Sequence, residues 1–147
     1  MCGISGVVSQ KPLRQEQVER VAQMNAALLH RGPDGEGAYH NPHLTLAMRR
    51  LSIIDLESGW QPIYNEDKSL VIIANGEIYN YIELQQELQT RGHQFRTRSD
   101  IESILHLYED YGFDCVHHLR GMFAFALWDT KKKVLFLARD RMGEKPL

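Results

Sequence analysis

Apolar and polar positions along this chain fall into short blocks whose spacing can be read element by element. Ile4 to Ser9 is an apolar-rich run near the start and predicts a short buried strand. From Arg14 to His30, Val18, Val21, Ala22, Met24, Ala26, Leu28 and Leu29 form a stripe at helical spacing. The Gly- and Pro-rich stretch 31–37 forbids its continuation. Leu44, Leu46 and Met48 alternate with Thr45, Ala47 and Arg49, which is the period of a strand. Leu70 to Ala74 is continuously apolar, as a strand covered on both faces would be. Tyr81 to Arg91 predicts a helix with Asn80 as its N-cap and Gly92 as its stop. Ser99 to Glu102 has the spacing of a capping box and should open a helix that Gly112 ends. Met122 to Trp128 and Val134 to Arg139 flank Asp-Thr-Lys-Lys-Lys and predict a hairpin with a solvated tip at Asp129 and its lysines.

On the first hairpin strand, Phe123, Phe125 and Leu127 share one face, while Met122, Ala124, Ala126 and Trp128 share the other. Both faces are apolar, so the sheet needs a cover on each side, and helices and a second sheet are the available covers. The expectation is a layered α+β fold occupying residues 1–147 as one domain. The chain stops at Arg-Met-Gly-Glu-Lys-Pro-Leu directly after a strand pattern, so the domain is expected to be the C-terminally incomplete part of a longer chain.

Composition narrows the function more by exclusion. The formal charge of −2 leaves no electrostatic footprint for nucleic acid or an anionic membrane surface. No apolar run approaches the ~20 residues that span a bilayer, and the N-terminus lacks the pattern of a secretory signal. Cys2 and Cys115 lie far apart and make no disulfide framework. A cytoplasmic location follows as the simplest reading. The histidines show no ligand spacing such as His-x-x-x-His, so no metal site is expected. Cys115 sits in an apolar context and reads as an inert core thiol.

Cys2 is the first candidate for chemistry. Removal of Met1 would put its thiol beside a free α-amino group, whose ordinary pKa of ~7.7–8.0 suits a general base near neutral pH. Nucleophile and base then belong to one residue, and no histidine partner is needed. Taken alone, however, Cys2 fits a buried thiol in a terminal strand better. Asn75-Gly76 alone fits an ordinary tight turn, and Arg50 alone a solvated edge charge.

Seven blocks in order change that balance: Cys2-Gly-Ile4, His30-Arg-Gly-Pro-Asp34, Arg50-Leu-Ser-Ile-Ile-Asp55, Asn75-Gly-Glu-Ile-Tyr-Asn80, Ser99-Asp100, Gly121-Met-Phe-Ala-Phe-Ala126 and Arg139-Asp-Arg-Met-Gly-Glu-Lys-Pro146. Together they resemble the glutaminase domain, a class II glutamine amidotransferase, of glutamine-hydrolysing asparagine synthetases. The resemblance implies a four-layer αββα sandwich of the N-terminal-nucleophile hydrolase type. It implies Cys2 as the nucleophile toward the side-chain amide of L-glutamine, with the Asn75 amide and the Gly76 N–H stabilising the oxyanion. Arg50, with Ile53 and Ile54, would bind the α-carboxylate, and Glu77 and Asp100 the α-ammonium. His30 to Asp34 would be a turn that holds the pocket. No cofactor is expected in this domain; ATP and Mg are expected in a C-terminal synthetase domain that receives the ammonia, and a homodimer of the full-length protein is compatible with the resemblance. Three other readings compete: amidation of a different carboxylate in polysaccharide or natural-product assembly, a non-catalytic glutamine-sensing module, and a self-processing amidase with another substrate.

Overall fold

The computed structural model describes residues 1–52 and 59–147. Two antiparallel sheets lie at its centre. The first contains β1 (Gly3–Val8), β2 (Gly35–Asn41) and β3 (Leu44–Arg50) in the order β1-β3-β2. The second contains β4 (Ile63–Tyr64), β5 (Leu70–Ile78), β6 (Gly121–Asp129) and β7 (Val134–Arg139), paired in that order. Three α-helices, α1 (Gln15–Ala27), α2 (Tyr81–Thr90) and α3 (Glu102–Tyr111), and a 3-10 helix (Gly112–His118) complete the described elements.

The period-two alternation of the strands builds the layers. Leu70, Ile72 and Ala74 of β5, with Phe123, Phe125 and Leu127 of β6, join one core with Leu84 and Leu88 of α2 and Ile104, Leu105 and Leu107 of α3. Their neighbours Val71, Ile73, Ala126 and Trp128 turn the other way and meet Leu44, Leu46 and Met48 of β3 in a second core. The opposite face of β3 meets α1, where Arg49 Nε donates to the Asn25 carbonyl at 3.2 Å. The order of layers is therefore helix, sheet, sheet, helix, the four-layer αββα arrangement expected. Burial of such side chains contributes ~1.5–3 kcal/mol each, and two separate cores explain why both faces of β5 and β6 are apolar.

Four local details differ from the sequence reading. β5 does not end at Asn75-Gly76 but runs on to Ile78, with Gly76 opposite Phe123 in the ladder. Asn80 precedes α2, yet its side chain does not cap the helix; it bonds the His118 carbonyl and the Arg120 N–H. The capping box at Ser99 is not formed, because Glu102 accepts instead from the Arg96 and Thr97 amides at 2.7 Å each. Asp129 is buried rather than solvated, and its Oδ1 accepts the Lys131 and Lys132 amides that close the hairpin turn. Asn80 and Glu102 each found a backbone partner that the helix-capping pattern could not reveal.

Candidate active site

One cavity of ≈ 50 Å³ is lined by Met1, Cys2, Arg50, Leu51, Asn75, Gly76, Glu77, Asp100 and Lys145, among others. It lies where the start of β1, the end of β3, the end of β5 and the approach to α3 meet. The sequence scatters these residues over most of the chain, and sheet register brings them together. Gly3 pairs with Arg49, which sets Cys2 beside the end of β3. Cys2 Sγ lies 3.3 Å from the Leu51 N–H that donates to it. Arg31 Nε donates to the Cys2 carbonyl at 3.1 Å, so the His30–Asp34 turn fixes the nucleophile candidate from behind. Asp34 also reaches forward to accept the Ser52 N–H at 2.7 Å.

Arg50 is buried, and its guanidinium lies over the Trp60 ring, 5.1 Å from the centroid. That contact adds cation–π attraction and orients the planar fork. Asn75 is also buried, opposite Ala124 in the β5–β6 ladder. At Gly76 a Cβ would lie 2.2 Å from the Met122 carbonyl oxygen, so the neighbouring strand itself demands glycine there.

Asp100 is buried, and its Oδ2 accepts the Ile78 N–H at 2.7 Å. This bond ties the segment before α3 to the end of β5. Burial pushes the Asp100 carboxyl above its ordinary value, and the nearby Glu77 charge adds to the rise, against the downward pull of the Ile78 amide. Two carboxylates and a guanidinium thus share a small cavity with a thiol. Such an arrangement can read both ends of an amino acid while presenting its side chain to sulfur.

Six of the expected site residues, Cys2, Arg50, Asn75, Gly76, Glu77 and Asp100, line this one cavity. Ile53 and Ile54 lie outside the described residues. Sequence reasoning set the segment 139–146 against the active-site strands or the partner domain but did not single out Lys145, which is a wall of the cavity. Lys145 is buried, and its Nζ lies 3.3 Å from the Met1 sulfur. The turn that carries it is held by Asp140, whose Oδ1 accepts the Glu144 amide and whose Oδ2 accepts the Phe123 and Lys145 amides. An Asp five residues before a Lys-Pro pair is the one sequence signal that could have marked it. Cys115, by contrast, is buried in the α-helical core, and burial pushes its thiol up to about 12.

The profile of the glutamine amidotransferase domain matches residues 1–147. The chain is 50% identical over its whole length to asparagine synthetase [glutamine-hydrolyzing] 1 of Bacillus subtilis, covering 24% of that protein. It is 48% identical to asparagine synthetase [glutamine-hydrolyzing] 1 of Arabidopsis thaliana, over 97% of this chain and 24% of that one. The chain spans about a quarter of the length of these curated relatives. Among solved structures, the glutamine phosphoribosylpyrophosphate amidotransferase of B. subtilis shares the fold, with a TM-score of 0.66 at 19% identity, over 95% of this chain and 36% of that one. With a domain profile that fits end to end and relatives at half identity, the chain belongs to the glutamine amidotransferase domain family.

Proposed function

We propose that this domain hydrolyses the side-chain amide of L-glutamine and supplies the ammonia to an ATP-dependent synthetase domain of the same protein, with Cys2 as the nucleophile. The observation that carries the reading is the convergence of Cys2, Arg50, Asn75, Gly76, Glu77 and Asp100 on one cavity. After removal of Met1, the Cys2 thiol passes its proton to its own α-amine and the sulfur attacks the amide carbon of glutamine. The Leu51 N–H beside Sγ holds the sulfur in place. Charge then develops on the amide oxygen, where the Asn75 side-chain amide and the Gly76 N–H serve as donors. The α-ammonium returns the proton to the departing nitrogen, and ammonia leaves. Water attacks the remaining thioester, giving glutamate and the free thiol.

Arg50 takes the substrate carboxylate, for which a planar fork suits bidentate contact. Glu77 and Asp100 take the α-ammonium. ATP and Mg belong to the synthetase domain, and this domain uses no cofactor. Identities of 44–50% to three asparagine synthetases of B. subtilis favour aspartate as the ammonia acceptor over another carboxylate.

The test uses the full-length protein with Cys2→Ala. Glutamine hydrolysis should fall to the uncatalysed baseline, while amide formation from added ammonia continues at the wild-type rate. Undiminished glutamine hydrolysis in this variant would contradict the assignment.

A further inference from the structure

Outside the cavity, four side chains from three segments converge at the outer edge of the α2–α3 layer. Glu66 comes from the turn between β4 and β5, His93 from the exit of α2, and His106 and Glu109 from successive turns of α3. One ligand atom from each lies within 4.8 Å of the others. His106 Nδ1 is 2.9 Å from Glu109 Oε2 and 3.7 Å from Glu66 Oε2. His93 Nδ1 is 3.4 Å from Glu109 Oε2 and 3.8 Å from Glu66 Oε1.

We propose that Glu66, His93, His106 and Glu109 form a structural site for a divalent transition metal, zinc by its donor set. Two imidazoles and two carboxylates suit zinc, and Zn–N and Zn–O bonds of ~2.0–2.2 Å imply separations of ~3.3–3.6 Å between tetrahedral ligand atoms. The observed separations bracket that range. Of these four, the two longer ones run to Glu66, which is a third exposed.

His93 Nε2 is backed by Asp110 Oδ1 at 3.0 Å, and His106 Nε2 faces Glu102 Oε1 at 3.8 Å without another partner. Both imidazoles present Nδ1 to the common centre, and the hydrogen bond of His93 Nε2 to a carboxylate is the pattern that orients metal-bound histidines. Glu109 Oε1 accepts from Asn65 Nδ2 at 2.8 Å, and Glu66 Oε1 from the Gln94 N–H at 2.9 Å. His106 is fully buried, so the site has a rigid inner wall. Four carboxylates (Glu66, Glu102, Glu109, Asp110) surround the two imidazoles, which leaves local negative charge for a cation to neutralise. With four protein ligands the site is closed, as structural rather than catalytic zinc sites are. It would clamp the β4–β5 turn to the helical layer. Spacing along the chain does not reveal the cluster, because two ligands are distant and the pair on α3 is His-x-x-Glu.

The full-length protein, stripped by a chelator and reloaded with zinc, should retain one more equivalent of metal than its His93→Asn variant. Cobalt substitution should give visible tetrahedral bands in the wild type that the variant lacks. X-ray absorption at the zinc edge of the wild type should show two imidazole ligands, and circular dichroism should show the variant folded. An imidazolium shared among the carboxylates is the alternative occupant. Equal metal content in folded wild type and variant, or no imidazole scattering and no tetrahedral bands in the wild type, would overturn the proposal, and the wild-type readouts decide even if the variant fails to fold.

Discussion

At the scale of the residue, Asp100 and Cys115 make the sharpest predictions. Burial first, and the Glu77 charge second, raise the Asp100 carboxyl above its ordinary value. A raised value means that the carboxylate takes up its proton while the pH is still above ~3.9, the ordinary range for aspartate. On the proposed role of Asp100, its neutral form would no longer attract the substrate ammonium. KM for glutamine should therefore climb on acidification with an onset above the ordinary aspartate range. Asp100→Asn should show a high KM at neutral pH and lack that step. A KM flat through the acid range in the wild type would count against Asp100 as an ammonium acceptor. Cys115, buried and pushed up to about 12, stays a thiol at neutral pH. Mild alkylation of the folded protein should add mass at Cys2 and leave the Cys115 peptide unmodified.

The residues that line the cavity were legible in the sequence for a simple reason. Cys2, Arg50, Asn75-Gly76, Glu77 and Asp100 sit in ordered motifs, and the strand register that gathers them follows from alternation that is itself visible in the chain. Lys145 was not legible, since its place depends on a turn held by Asp140 rather than on any pattern of its own.

Among elements, the segments with a clear apolar period were readable and the others were not. β5, β6, β7 and the three α-helices have enough repeats of period two or 3.6 to stand out. β2 carries Gly-Glu-Gly-Ala-Tyr-His-Asn, with small residues where a core face would show large ones. At Gly35 a Cβ would meet the Trp60 ring at 2.3 Å, and at Gly37 it would meet the Gln61 carbonyl at 1.8 Å, so packing against 60–62 excludes the very side chains that would have signalled a strand. β4 has two residues and no period to read. The turn at 140–145 belongs to this scale as well. Asp140→Ala would leave the Phe123, Glu144 and Lys145 amides without their acceptor. A loss of about 1–3 kcal/mol is expected, measured as a lower urea midpoint, together with a slower glutamine turnover as Lys145 leaves the cavity wall. Unchanged stability would show that these amides find other partners.

For the whole molecule, the two-faced apolarity of β5 and β6 required covers on both sides, and the fold supplies α2 with α3 on one and the first sheet on the other. That stacking brings β1 and β3 against the end of β5, so the layering and the cavity are one consequence of the same register. Location follows from none of this, although no helix among the described residues is long and apolar enough to cross a membrane. Met1 still lines the cavity, its sulfur against Lys145. Its removal would both widen the space for substrate and free the Cys2 amine.

The most direct test of the central claim is the intact mass of the N-terminal peptide of the full-length protein after exposure to the glutamine analogue diazo-oxo-norleucine. The account predicts a peptide without Met1 that carries the adduct on Cys2, and protection of that peptide by excess glutamine. An unmodified peptide that still bears Met1 would contradict it and leave glutamine sensing without catalysis as the better reading.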